Sequence, residues 1–118
     1  MADMVLFVGF GEPVRGREAK AVEMFGEAMA YYEKLKQQGD IESYEAVLLQ
    51  PHGGELGGFI LLRGQGERLM AAWQTEEFEQ LTTKTRMIVD NFGVVPGLVG
   101  EALQRGMAQY QQQAMAMR

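Results

Sequence analysis

The sequence predicts an α+β domain in which a four-stranded antiparallel sheet is built in the order β-α-β-β-α-β, with one further helix at the C-terminus. Four runs rich in β-branched and aromatic residues lie at Met4 to Phe10, Ile41 to Gln50, Phe59 to Arg63 and Arg86 to Val95. The stretches after the first, third and fourth runs repeat apolar residues at spacings of three and four. The middle two runs are separated by Pro51-His52-Gly53-Gly54, a hairpin signal. With 118 residues, 47% of them hydrophobic and 23% charged, the chain has material for one core. Residues 1–118 therefore read as a single domain, with its core over about 4–98 and its last helix over about 98–116.

Met4 to Phe10 is apolar in both alternation sets, as in a strand covered on both faces, and Gly11-Glu12-Pro13 stops it. A helix follows from about Gly16 to Gln38, with Val22, Phe25, Met29, Tyr32 and Leu35 on one stripe. Gly39 fits its C-terminal cap, and Lys34 and Lys36 suit its negative end. Ile41 to Gln50 and Phe59 to Arg63 form the hairpin, and Gly64 and Gly66 end it. The second helical region reads as broken in two: Leu69, Met70 and Trp73 belong to a short first piece. Thr75 followed by Glu76 and Glu77 then starts a new helix with a cap and an acidic first turn. Arg86 to Val95 reads as the last strand, closed by Pro96-Gly97. Val99, Leu103, Tyr110, Ala114 and Met117 stripe a Gln-rich final helix, where Gly106 marks a kink or a close packing contact.

Right-handed crossovers put the first two helical regions on one face of the sheet. Strands that are apolar on both sides then leave a second apolar face, and a chain of this length has no layer left to cover it. A second copy can, so the pattern predicts a homodimer paired sheet to sheet.

Composition removes several function classes. Eleven Lys and Arg, scattered singly against sixteen Asp and Glu, cannot assemble the cationic face on which nucleic-acid affinity rests. No apolar run approaches the roughly 20 residues of a membrane span, and the N-terminus lacks a basic flank, so the reading is no membrane, no signal peptide and a cytoplasmic location. The absence of cysteine excludes disulfides, thiolate catalysis and cysteine-bound metal. One His and nine thioethers give too few good ligands for haem or zinc, so no metal is expected and no cofactor is identified.

The whole pattern resembles the dimeric α+β barrel superfamily of ferredoxin-like fold. It is carried by the first strand ending in Gly11-Glu12, the long helix, the hairpin, the split helix around Trp73 and Glu76-Glu77-Phe78, and the ending Val94-Val95. The superfamily includes antibiotic-biosynthesis-type monooxygenases, haem-degrading enzymes, muconolactone isomerase-like and YCII-like proteins, and stress-response barrels. The resemblance implies a homodimer with a ligand cleft between sheet and helices. Of the Asn, His and Trp set of the haem-degrading members only Trp73 has a counterpart here, and of the YCII-like His and Asp pair there is one His, on the hairpin loop.

Among individual residues, His52 is the acid–base candidate because only its side chain titrates near neutrality, with Glu55 as a candidate partner; equally, it is a polar residue chosen for turn geometry. Gly11-Glu12-Pro13-Val14-Arg15-Gly16-Arg17-Glu18 has the glycine spacing of a phosphate loop but lacks its Lys and Ser or Thr. What survives is a contact from Arg15 and Arg17 at the helix start to an anionic ligand, with Glu12 and Arg15 carried as ligand-binding candidates, weighed against solvated arginines that pair with Glu12 or Glu18. Glu45, Arg63 and Asp90 interrupt apolar runs; cross-strand ion pairs explain such charges, and Asp90, sharing a predicted strand face with Ile88 and Phe92, is a second catalytic candidate. Trp73, Tyr31, Tyr32 and Tyr44 can stack on a planar ligand, although Tyr32 and Trp73 also fall on core stripes. Two functions remain: a dimer that binds a small planar or carbonyl-bearing metabolite and acts on it without a cofactor, or a noncatalytic assembly whose cleft its own side chains fill.

Overall fold

The computed structural model describes residues 2–117. The elements run β1 (Met4–Phe10), α1 (Glu18–Gln37), β2 (Ser43–Leu48), β3 (Gly58–Gly64), α2 (Gly66–Trp73), α3 (Glu76–Arg86), β4 (Gly93–Leu98) and α4 (Gly100–Ala116). The strands form one antiparallel sheet in the order β2-β3-β1-β4. This is the predicted α+β architecture, with β1 and β3 central and β2 and β4 at the edges.

Register decides which side chains share a face. Leu6 opposes Leu62 and Val8 opposes Ile60, and these four are buried with Met24, Tyr31, Tyr32 and Leu35 of α1, Leu69 of α2 and Phe78 and Leu81 of α3. All three helices therefore cover one face of the sheet. Strand alternation turns Val5, Phe7, Val47, Phe59, Leu61 and Val95 to the other face. There Phe7 and Phe59 stack with ring centroids 5.0 Å apart, over Gly9, where a Cβ would stand 2.7 Å from the Phe7 ring.

Local chemistry sets the helix ends. Gly39 adopts φ of 80°, and the N–H groups of Gly39 and Asp40 donate to the Lys36 and Leu35 carbonyls, a Schellman closure of α1. The Thr75 Oγ1 accepts from Phe78 N at 3.3 Å, and Glu76, Glu77 and Glu79 fill the first turn of α3. The predicted break between the second pair of helices is thus real, and it is a capped helix start.

Three expectations are corrected. The final strand does not begin at Arg86: α3 runs through that residue, only Val89 bridges to Pro13, and β4 starts at Gly93. Asp90 is therefore in a loop, and Ile88 and Phe92 owe their apolar character to packing against the core from that loop. Pro96-Gly97 lies inside β4, which tolerates a proline because it is an edge strand. Val22 is 76% exposed, since α1 packs down on the sheet only from Met24 onward and its first turn overhangs.

Candidate functional site

That overhang leaves a cleft of about 530 Å³. Its floor is the helix-covered face of the sheet, Val8 and Phe10 of β1 with Ile60 of β3, and its roof is Ala21, Met24, Phe25 and Ala28 of α1. Exposed Val22, Leu48 and Leu49 form an apolar mouth. Ala21 and Ala28 are the small side chains of that roof. Its own side chains do not fill it.

Few polar groups reach this space. Glu12 and Glu18 are the charged residues of the lining, which contains no Lys, Arg or His. The Glu18 carboxylate accepts from Gly16 N at 3.0 Å, and Thr85 donates to the Leu81 carbonyl at 2.8 Å, so both have local partners. Tyr32 is 3% exposed and lines the cleft. Burial pushes its phenol well above the ordinary tyrosine range, with a smaller push from neighbouring Tyr31. The described contacts of Tyr32 are made by its ring, with Tyr31, Tyr44 and Phe78. Among the described residues no side-chain oxygen sealed from water lacks a partner.

The structure scatters most of the residues singled out in the sequence. Glu12 lines the cleft. Glu12, Glu55 and Asp90 meet through their backbones at the end of β1: Gly11 N donates to the Asp90 carbonyl at 2.8 Å, Asp90 N to the Glu12 carbonyl at 2.9 Å, and a Cβ at Gly11 would stand 2.9 Å from the Glu55 carbonyl oxygen. Only glycine fits there, and Glu12, Glu55 and Asp90 are exposed around it. His52 is exposed; its ring closes the hairpin loop on itself through the Leu56 carbonyl at 2.7 Å and Gly54 N at 3.1 Å, and Glu55 is not its partner in these contacts. Arg15 is exposed before α1. Arg63 lies on the sheet face opposite the cleft, paired with Glu45 at 3.3 Å as cross-strand charges were expected to be. Trp73 ends α2, half-buried against the core and outside the cleft lining. Sequence reasoning placed Tyr32 on a core stripe without seeing that it also lines the cleft; a tyrosine at a stripe position that any apolar residue could fill is the signal that was there to read.

No family model matches the chain, and no curated protein matches it. Solved structures do. A dimeric protein of unknown function and ferredoxin-like fold from Bacteroides fragilis superposes with a TM-score of 0.59 at 10% identity, over 81% of this chain and 96% of that one. The NE2512 protein of unknown function from Nitrosomonas europaea gives 0.60 at 15% identity over 84% and 90%. SnoaB, a cofactor-independent oxygenase from Streptomyces nogalater, gives 0.51 at 17% identity over 84% and 93%. These likenesses, together with the strand order, show that the chain has the ferredoxin-like fold.

Proposed function

We propose that the chain is a homodimeric protein that binds a small, planar, largely apolar molecule, neutral or cationic, in the cleft beneath the first turns of α1. The observation that carries this reading is the open cleft of about 530 Å³ with an apolar lining, a size and character typical of small-molecule sites. A slot between a flat strand layer and a helix suits a flat ligand. The buried Tyr32 hydroxyl supplies a donor for a ligand carbonyl, and Glu12 supplies an acceptor at the rim. A lining with two carboxylates and no cation disfavours anions. The fold neighbour described as a cofactor-independent oxygenase supports the view that a sheet of this kind can handle a small molecule without a prosthetic group. In this reading Glu12 and Tyr32 contact the ligand, while Trp73 and Arg63, outside the cleft lining, do not. The homodimer rests on the uncovered apolar sheet face, and the dimeric Bacteroides fragilis neighbour supports it.

Titration calorimetry with 2-acetonaphthone and its trimethylammonium and carboxylate derivatives tests the site. The neutral and cationic probes are expected to bind, the carboxylate about tenfold or more weakly, and Ala21→Trp, which fills the slot, to abolish binding while leaving the thermal midpoint within a few degrees. Failure of all three probes, or preference for the carboxylate, would sink the proposal.

A further inference from the structure

We infer that α4 is an arm that closes the homodimer, its stripe of Leu103, Met107, Tyr110 and Met117 lying against a second copy of this chain. The inference rests on the sheet-to-sheet dimer proposed above and adds a second contact to it. Nothing in α4 is buried: Tyr110 is 73% and Met117 87% exposed, and Leu103 and Met107 are also open. The helix leaves β4 after Val99 and touches it where a Cβ at Gly106 would stand 3.3 Å from Leu98 Cδ1. It makes the molecule long, 54 × 37 × 23 Å, with a radius of gyration of 16.4 Å. A compact chain of this length would have about 13.5 Å. A 17-residue helix rich in glutamine has little stability of its own. Its apolar stripe needs a surface.

Two observations identify that surface as the same protein. The first is charge. Residues 106–117 carry no charged side chain in a chain of net charge −5, and Glu101 and Arg105, at the start of α4, face each other at 4.0 Å. A two-fold contact sets each surface against its own copy, so any net charge on it would repel itself; an uncharged stripe flanked by glutamines avoids this. A lipid surface would call for several Lys or Arg on the polar face, where α4 has a single Arg105, paired with Glu101, beside Gln109, Gln112 and Gln113. The second is area. Four strands of six or seven residues present a face of roughly 20 × 20 Å, about 400 Å², whereas a stable dimer buries on the order of 800 Å² per subunit. One side of α4, roughly 25 Å long and 10 Å wide, adds about 250 Å² from an element that follows β4 directly. The sheet face alone is small for a lasting dimer, and the arm supplies much of the difference.

Sedimentation equilibrium of full-length variants tests this. Met107→Glu with Tyr110→Glu should raise the dimer dissociation constant at least about 30-fold, the milder Met107→Gln about threefold to tenfold, and Gln112→Glu on the polar face about twofold or less. Because the chain has no cysteine, a spin label at Gln112→Cys reports one inter-subunit distance distribution, expected to be narrow in the wild-type background and broad with Met107→Gln. If the stripe variants dimerise as tightly as wild type while Leu61→Glu on the sheet face dissociates, the arm is wrong and the sheet dimer stands. A wild-type monomer at 50 µM overturns both, and a monomer that co-sediments with phosphatidylcholine–phosphatidylserine vesicles through the stripe assigns α4 to lipid instead.

Discussion

Tyr32 is placed where a phenylalanine would pack as well, and its oxygen is the part that packing does not explain. Tyr32→Phe removes only the hydroxyl and keeps the ring packed against Tyr31, Tyr44 and Phe78, so its cost at pH 7 should be under about 1 kcal/mol by chemical denaturation. The same substitution should weaken binding of 2-acetonaphthone about fivefold to tenfold and leave an apolar probe such as naphthalene unaffected. Its pH dependence has a definite sign. Burial raises the folded-state pKa, so the unfolded chain gives up the phenolic proton first, at about pH 10. The stability tied to neutral Tyr32 is intact below that pH and is lost as pH rises toward the folded-state value. Urea unfolding between pH 9 and 11 should show wild type losing stability faster than Tyr32→Phe, and equal slopes would remove the argument. Glu12, carried as a ligand-binding candidate from the loop before α1, lines the cleft. His52 and Asp90 were singled out on chemistry alone, and sequence could not show that His52 would use both ring nitrogens within its own loop.

The helix-bounding signals are short-range chemistry and were legible residue by residue. Thr75 accepts from Phe78 N and also donates to the Ala72 carbonyl at 2.8 Å, joining α2 to α3. Thr75→Ala should therefore cost about 1–2 kcal/mol, a fall of roughly 4–8 °C in calorimetry, and Thr75→Ser should recover most of it. Gly39 at φ of 80° should make Gly39→Ala cost about 1 kcal/mol, whereas Ala at exposed Gly26 within α1 should stabilise by a similar amount. The start of β4 could not be read this way. Ile88, Val89 and Phe92 have strand-like composition but serve a loop that packs on core and cleft, and Pro96 reads as a terminator unless one knows that β4 has a neighbour on one side only. Edge position is a property of the whole sheet, absent from any local window.

Across the whole molecule, the two faces of the sheet have separate work. One carries the core and the cleft; the other is apolar and lies away from the core of α1, α2 and α3, with Phe7, Val47, Phe59 and Leu61 half-buried and the Glu45–Arg63 pair on the β2 and β3 strands. Two-sided apolar strands made this legible from the sequence, although the path of α4 was not, because its stripe finds no partner within the chain. If the proposed homodimer pairs sheet to sheet, Leu61→Glu should give a monomer by light scattering at micromolar concentration, with unchanged far-ultraviolet circular dichroism; a dimer that persists would mean the sheet faces do not meet. The proline inside β4 bears on what else these sheets can do. Val99 N donates inward to the Asp3 carbonyl, so the alternate residues Val94, Pro96 and Leu98 hold the outward row of donors, and its middle member has no hydrogen to give. A neighbouring molecule therefore cannot extend the sheet through β4 as a continuous ladder, and the chain can expose a large apolar face without that edge seeding fibre growth.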